Sequence, residues 1–345
     1  MATIRDVAKK AGLSVATISA VINDKPGVSA AARAKAQAAI AELKYVPNRT
    51  AQALSNSRGS TIAVLIPSIE NPFFPQVVKS LEDVFQSNGY LTFVCNTEGR
   101  IDRAEAYIRQ MSRGFIEGAV ISLTWELTQP SILDAFRQWR IPVVGLAGAR
   151  PVEGMDAVIP DDPLGAYEAA EHLIKLGHRR IGFIAAQQSK TSEMRLKGYR
   201  RAFSDYGLEY NEAHVCLGRN YSNAEGHILT KALLNRRDCP TALFCFNDVM
   251  AQGALAAAHE EGIHVPDDLS IIGFDDTLGE YAYPQLSSVT LPKSEMGFLA
   301  GSLLMDHLQG RHHEPRLIKV KPRLVIRNST APPGQLHRSK TNNAG

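Results

Sequence analysis

The sequence predicts an α/β protein in which two doubly wound parallel sheets follow a small helical head. Three observations predict it. From Thr61 onward, short continuous apolar runs alternate with helical patterns in two successive series. Strands that are apolar throughout are covered on both faces, as in parallel sheets flanked by helices. Ahead of them, residues 3–22 carry two short amphipathic helical patterns joined at Gly12-Leu13-Ser14. Charge divides at the same place: residues 1–58 hold nine Lys/Arg against three acids, and the remainder holds 29 against 32. A basic head on a slightly acidic body confines contact with a polyanion to the head.

Within the head, Ile4, Val7, Ala8 and Ala11 fall on one helix face. Gly12 suits a left-handed C-terminal residue, and Ser14 suits the N-cap of the next helix. Ile18, Val21 and Ile22 form that helix's inner face. The small residues Ala8, Ala11 and Ala16 let the two helices approach closely. After the turn Asp24-Lys25-Pro26-Gly27, Ser29 caps a third, Ala-rich helix from Ala30 to Leu43, with Arg33 and Lys35 outside. Pro47 forces Val46 into extended geometry. The arrangement is a helix-turn-helix candidate whose second helix would lie in a DNA major groove. Residues 49–60 form a linker too short to hold a helix alone in water, and its Leu54 has little local core to join.

In the body, apolar runs near residues 62–67, 91–96, 118–122, 142–146 and 157–159 make a first set of strands. Runs near 180–185, 215–217, 242–246 and 269–274 make a second. Helical patterns separate them, including Phe74–Asn88, Ala166–Leu176, Glu193–Asp205 and Asp248–Glu261. Later come a helix over 293–309 and short strands at 318–320 and 324–326, each added to one of the sheets. Residues 331–345 lack apolar periodicity and read as a disordered tail.

The start has no basic-then-apolar leader pattern, and no run of eighteen apolar residues occurs, so a cytoplasmic protein without membrane contact is expected. Cys95, Cys216, Cys239 and Cys245 do not have zinc-site spacing and read as reduced, buried thiols. His307, His312 and His313 read as a surface loop, because carboxylate or cysteine partners at ligand spacing are missing. No metal or cofactor is expected. The chain has no P-loop, no G-x-G-x-x-G after a strand, no G-x-S-x-G elbow and no H-E-x-x-H, which argues against an enzyme. A solute-binding protein would share the body but not the basic head.

Taken with the motifs Thr3-Ile4-Arg5-Asp6-Val7-Ala8, Ala16-Thr17-Ile18-Ser19, Tyr45-Val46-Pro47-Asn48, Asn71-Pro72-Phe73-Phe74 and Gly273-Phe274-Asp275-Asp276, this organisation resembles the LacI/GalR family of bacterial transcriptional regulators over residues 3–328. The resemblance implies a helix-turn-helix head at 1–46, a hinge at 47–60 that becomes a helix, and a periplasmic-binding-protein type I-like core at 61–330. That core would divide into an N-subdomain (61–159 plus 291–319) and a C-subdomain (160–290 plus 320–330). It further implies a homodimer on a pseudo-palindromic double-stranded operator, acting as a repressor under a small-molecule effector.

By the same resemblance, Val15, Ala16 and Ala20 face the groove. They offer only apolar contact, for example to a thymine methyl, and Ala20 departs from the polar or basic residue many relatives carry. Thr3, Ser14, Thr17, Ser19 and Asn23 are read as caps and backbone contacts that set register. Leu54 would wedge into the minor groove. Phe73, Phe74, Asp161, Arg195, Tyr221, Asn247 and Asp275 fall on effector positions, although Asp162 stands beside Asp161 and leaves that assignment open by one residue. By residue type, Asn247 and Asp275 also suit strand-end caps, and the two Phe also suit a core. Carboxylates, an amide and an aromatic wall suit a hydroxyl-rich ligand, a sugar or sugar derivative, and Arg195 would also serve an acidic one.

Overall fold

The computed structural model describes residues 2–22, 26–43, 45, 61–111, 114, 116–149, 151–187, 189–311 and 313–334. The chain forms two compact units, Met1–Ser60 and Thr61–Gly345.

The first unit contains helices α1 (Ile4–Ala11), α2 (Val15–Ile22) and α3 (Ala30–Glu42). Thr3 opens α1 with a capping box: its hydroxyl accepts from Asp6 N–H while the Asp6 carboxylate accepts from Thr3 N–H at 2.8 Å. Gly12 ends α1 at φ 64°, where a side chain would be strained. Thr17 N–H donates to Ser14 Oγ at 3.0 Å, which starts α2. Val7, Ala8, Ile18, Val21, Ala36 and Ala39 form the core of the three helices. Ala16 is exposed rather than at the interhelix contact. It lies two residues before Ile18, about 200° around the helix.

The second unit carries two sheets of six strands. The first contains β1 (Thr61–Ile66), β2 (Leu91–Asn96), β3 (Gly118–Ser122), β4 (Val143–Leu146), β5 (Ala157–Pro160) and β11 (Leu317–Val320), in the order β11-β5-β4-β3-β1-β2. The second contains β6 (Ile181–Ala186), β7 (Val215–Gly218), β8 (Ala242–Cys245), β9 (Ser270–Asp275), β10 (Ser287–Thr290) and β12 (Arg323–Val325), in the order β12-β10-β9-β8-β6-β7. All pairings are parallel except that of β12 with β10. Each order reverses beside its first strand, β1 or β6, and ligands of open α/β sheets bind outside the carboxyl ends of the strands at that point.

The covering helices are α4 (Phe73–Ser87), α5 (Ile101–Met111), α6 (Pro130–Gln138), α7 (Asp162–Lys175), α8 (Lys190–Asp205), α9 (Asn223–Leu234), α10 (Asp248–Glu260) and α11 (Lys293–Leu308). Helix α11 packs on α4 and the first sheet. Helix α7 begins at Asp162, four residues before the apolar pattern starts, because Asp161 caps it and Pro163 occupies its first turn. Ala331, the first residue of the expected tail, is held to the second sheet: its carbonyl accepts from His178 Nε2 at 2.9 Å and from Ser270 Oγ at 3.0 Å. The four cysteines are free thiols, three of them buried. Among the described residues, no helix is long and apolar enough to cross a membrane.

Candidate functional site

The carboxyl ends of the two sheets meet around Arg195. This residue lies inside α8, which follows β6, and is 4% exposed. Its Nε donates to Asp162 Oδ1 at 2.8 Å, its Nη2 to Asp275 Oδ1 at 3.3 Å, and its Nη1 to the Phe246 carbonyl. The guanidinium also lies over the rings of Phe274 and Phe246, 3.5 Å and 4.3 Å from their centroids. Planarity and a fixed fork of donors allow Arg to do all of this at once.

Helix α7 separates the two adjacent acids. Asp161 is its N-cap and accepts from Leu164 N–H at 3.2 Å, whereas Asp162, one residue on, is buried against Arg195. Asp162 Oδ2 is buried without a hydrogen-bond partner. Burial pushes the carboxyls of Asp162 and Asp275 up, and the charge of Arg195 opposes it. Asn71, in the loop after β1, lies near the Asp275 carboxylate and also favours its charged form. Asp275 and Asp276 have φ 88° and 47°, left-handed values that Asp tolerates better than most residues. Their carbonyls accept from Lys293 Nζ at 2.6 Å and 3.2 Å. Burial lowers the Lys293 pKa, against the pull of Asp275 and Asp276.

The aromatic residues divide between the halves. Phe73 and Phe74 open α4, buried, in an edge-to-face pair with centroids 5.1 Å apart. Tyr221 stacks on Phe246 at 4.2 Å. Asn247 is buried, and its side chain accepts from Met250 N–H at 2.9 Å, so its oxygen serves as the N-cap of α10. Arg195 and Asp275 are therefore in contact, Tyr221 reaches them through Phe246, and Asp161 and Asn247 are used as caps. Phe246, Phe274, Lys293 and Asn71 were not legible as site residues, since an aromatic in an apolar run reads as core. Asp248 is a neighbouring clasp: it accepts from Thr277 N–H at 2.7 Å, Leu278 N–H at 3.1 Å and Ser288 Oγ at 2.6 Å. Burial pushes its pKa up to about 6.

On the head, Thr3, Ser14, Val15 and Ala16 are exposed, and Thr17, Ser19 and Ala20 are half-buried. The Ser14 and Thr17 hydroxyls bond each other at 2.8 Å. Arg5, Lys9 and Lys10 are exposed, Lys10 in an ion pair with Glu42. Asn23 and Leu54 lie outside the described residues.

Residues 3–48 match the bacterial regulatory proteins of the lacI family, and residues 170–330 match a periplasmic binding protein-like domain. The chain is 33% identical over 331 residues to the HTH-type transcriptional repressor PurR of Aliivibrio salmonicida, covering 95% of this chain and 99% of that protein. It resembles the lac repressor dimer bound to operator and the anti-inducer ONPF, with TM-score 0.82, 26% identity, and coverage of 96% of this chain and 99% of that one. The transcriptional regulator CelR in complex with cellobiose gives TM-score 0.72 and 29% identity, covering 95% of this chain and all of that one.

Proposed function

We propose that this chain, which belongs to the LacI family of bacterial transcription regulators and is a DNA-binding regulator rather than an enzyme, represses transcription under the control of a neutral, hydroxyl-rich effector bound around Arg195. The carrying observation is the balance of donors and acceptors there. Arg195 is committed to two carboxylates and a carbonyl. What remains for a ligand is acceptor capacity, Asp162 Oδ2 foremost. A ligand that supplies hydroxyl donors satisfies it, whereas an acidic sugar would set a further negative charge beside two carboxylates. The aromatic groups Phe73, Phe74 and Tyr221 suit the apolar face of a sugar ring. The cellobiose bound by CelR is a ligand of this class.

DNA is met by the head. Val15, Ala16 and Ala20 contribute apolar readout, and Thr3, Ser14, Thr17, Ser19 and Asn23 set register on the backbone. Leu54 wedges at the operator centre, so Leu54→Ala loses DNA bending in a gel assay while the head stays folded. The protein works as a homodimer in the cytoplasm. The lac repressor is a dimer on its operator. Exposed Leu91 and Phe93 on edge strand β2, and exposed Phe298 on α11, offer this chain the apolar surface for one.

The test is a thermal-shift screen of the full chain against neutral sugars, sugar acids and nucleobases, followed by anisotropy on an operator selected from random duplexes. A neutral polyol that raises Tm and alters operator affinity is expected, and Arg195→Lys abolishes both responses. Stabilisation by anions or nucleobases alone would refute the effector class. Affinity that does not fall steeply with salt would refute phosphate contact by the head.

A further inference from the structure

Two histidines and an aspartate converge at the opposite end of the first sheet, where its strands begin. Asp156 immediately precedes β5, His307 lies in the last turn of α11, and His313 lies in the connection to β11. The Asp156 side chain is 1% exposed, that of His313 12% and that of His307 29%. His307 Nε2 is 2.6 Å from Asp156 Oδ2, and His313 Nε2 is 3.7 Å from the same oxygen. The other carboxylate oxygen accepts from Arg316 N–H at 2.5 Å, which holds the aspartate in place.

The tautomer of His313 is fixed by its neighbour. Its Nδ1 lies 3.0 Å from the Glu314 carbonyl. A carbonyl only accepts, so Nδ1 carries the hydrogen and Nε2 of the neutral ring presents a lone pair. That Nε2 is buried and has no hydrogen-bond partner. A lone pair aimed at a carboxylate oxygen is unfavourable unless a proton or a metal cation lies between them. Orientation of a ligating imidazole by a backbone carbonyl on its far nitrogen is the usual outer arrangement of metal sites. The nearby arginines do not supply the cation: Arg311 and Arg316 both turn to Asp306, at 2.6 Å and 4.0 Å.

We propose that Asp156, His307 and His313 form a binding site for a divalent transition ion of the zinc class. The three donor atoms lie within 4.8 Å of one another. Metal–ligand bonds of about 2.0–2.1 Å place tetrahedral ligands about 3.3 Å apart. The 2.6 Å contact therefore opens and the 3.7 Å contact closes, each by less than about 1 Å, and the two imidazole nitrogens, within 4.8 Å of each other, close by up to about 1.5 Å. Two imidazoles and one carboxylate select zinc and its neighbours over magnesium or calcium, which take oxygen ligands. The half-exposed His307 leaves a path for the ion and a fourth position for water. The ion would tie β5, α11 and the lead into edge strand β11. This site is independent of the effector reading. Asp156 stands 151 residues before His307, so no local ligand spacing pointed to it, and His312 lies outside the described residues.

The experiment titrates zinc chloride, by calorimetry, into the full chain carrying no histidine tag and stripped with chelator. One zinc per chain is expected, with affinity weakened at least about tenfold in His313→Gln and in His307→Gln. Absence of binding, or unchanged affinity in both variants, overturns the site. If a variant fails to fold, cobalt(II) absorption of the wild-type chain decides: intense tetrahedral bands support the site, and the weak spectrum of the aquo ion refutes it.

Discussion

The two halves of the body share one topology and differ in what they place at the strand ends. In each, a first strand is followed by a helix: α4 after β1 and α8 after β6. The first brings Phe73 and Phe74, the second Arg195. Helix starts diverge in the same way. In the second half, α7, α8, α9 and α10 are each capped by a side chain, from Asp161, Ser189, Ser222 and Asn247. In the first, Pro72, Gln129 and Pro292 stand before α4, α6 and α11 without a side-chain cap of their own, although Asn71 Oδ1 accepts from Phe73 N–H at 3.1 Å. One scaffold thus supplies an apolar wall from one side and a charged, hydrogen-bonded floor from the other. Topology sets which strand ends are brought together, and individual side chains set the chemistry presented there.

The largest test of this contrast removes the floor's cation. Arg195→Met leaves two buried carboxylates without their partner and should cost about 3–5 kcal/mol in urea unfolding. Arg137→Met in the first half breaks only the exposed pair with Asp134 and should change stability by less than about 1 kcal/mol. A cost below about 1 kcal/mol for the Arg195 variant would erase the difference.

A smaller effect depends on pH. Asp248 binds its proton more tightly in the folded chain, its pKa raised from 3.8 to about 6 by burial. Its contribution to stability is therefore fully present below the unfolded pKa and is lost as pH rises through about 6. A rise of that size corresponds to roughly 3 kcal/mol at most. Asp248→Asn should accordingly gain on the wild type by about 2–3 kcal/mol between pH 4 and pH 7. Parallel stability curves for the two proteins would show that the buried carboxyl is not the cause.

The smallest concerns the caps. Ser222→Ala should destabilise the body by about 1 kcal/mol. Gln129→Ala, at the equivalent place on α6, loses no cap bond but only the exposed donation from its Nε2 to the Trp125 carbonyl at 2.7 Å, and should cost less than about half as much. Equal losses in chemical denaturation would mean that capping does not distinguish the halves.

Local rules made much of this legible. Apolar runs marked the central strands, because a parallel strand inside the sheet buries both faces and leaves no alternation to misread. Gly12 and Ser14 marked the head's turn, because left-handed backbone and N-cap geometry restrict residue type. Arg195 and Asp275 stood out as polar residues near strand ends. Adjacent acids were harder. Asp161 and Asp162 have the same chemistry, and only the start of α7 turns one to the cap and the other to Arg195.

Composition and periodicity were therefore enough for the order of elements and the basic head, since each depends on neighbours a few residues away. Long-range convergence settled the rest. Strands β11 and β12 are both short, yet one joins its sheet parallel and the other antiparallel, according to where the preceding segment delivers it. The donor–acceptor balance around Arg195 draws on α7, α8 and the ends of β8 and β9. The meeting of Asp156 with His307 and His313 draws on segments some 150 residues apart. No pattern of local spacing encodes such contacts, because they exist only once both sheets have packed.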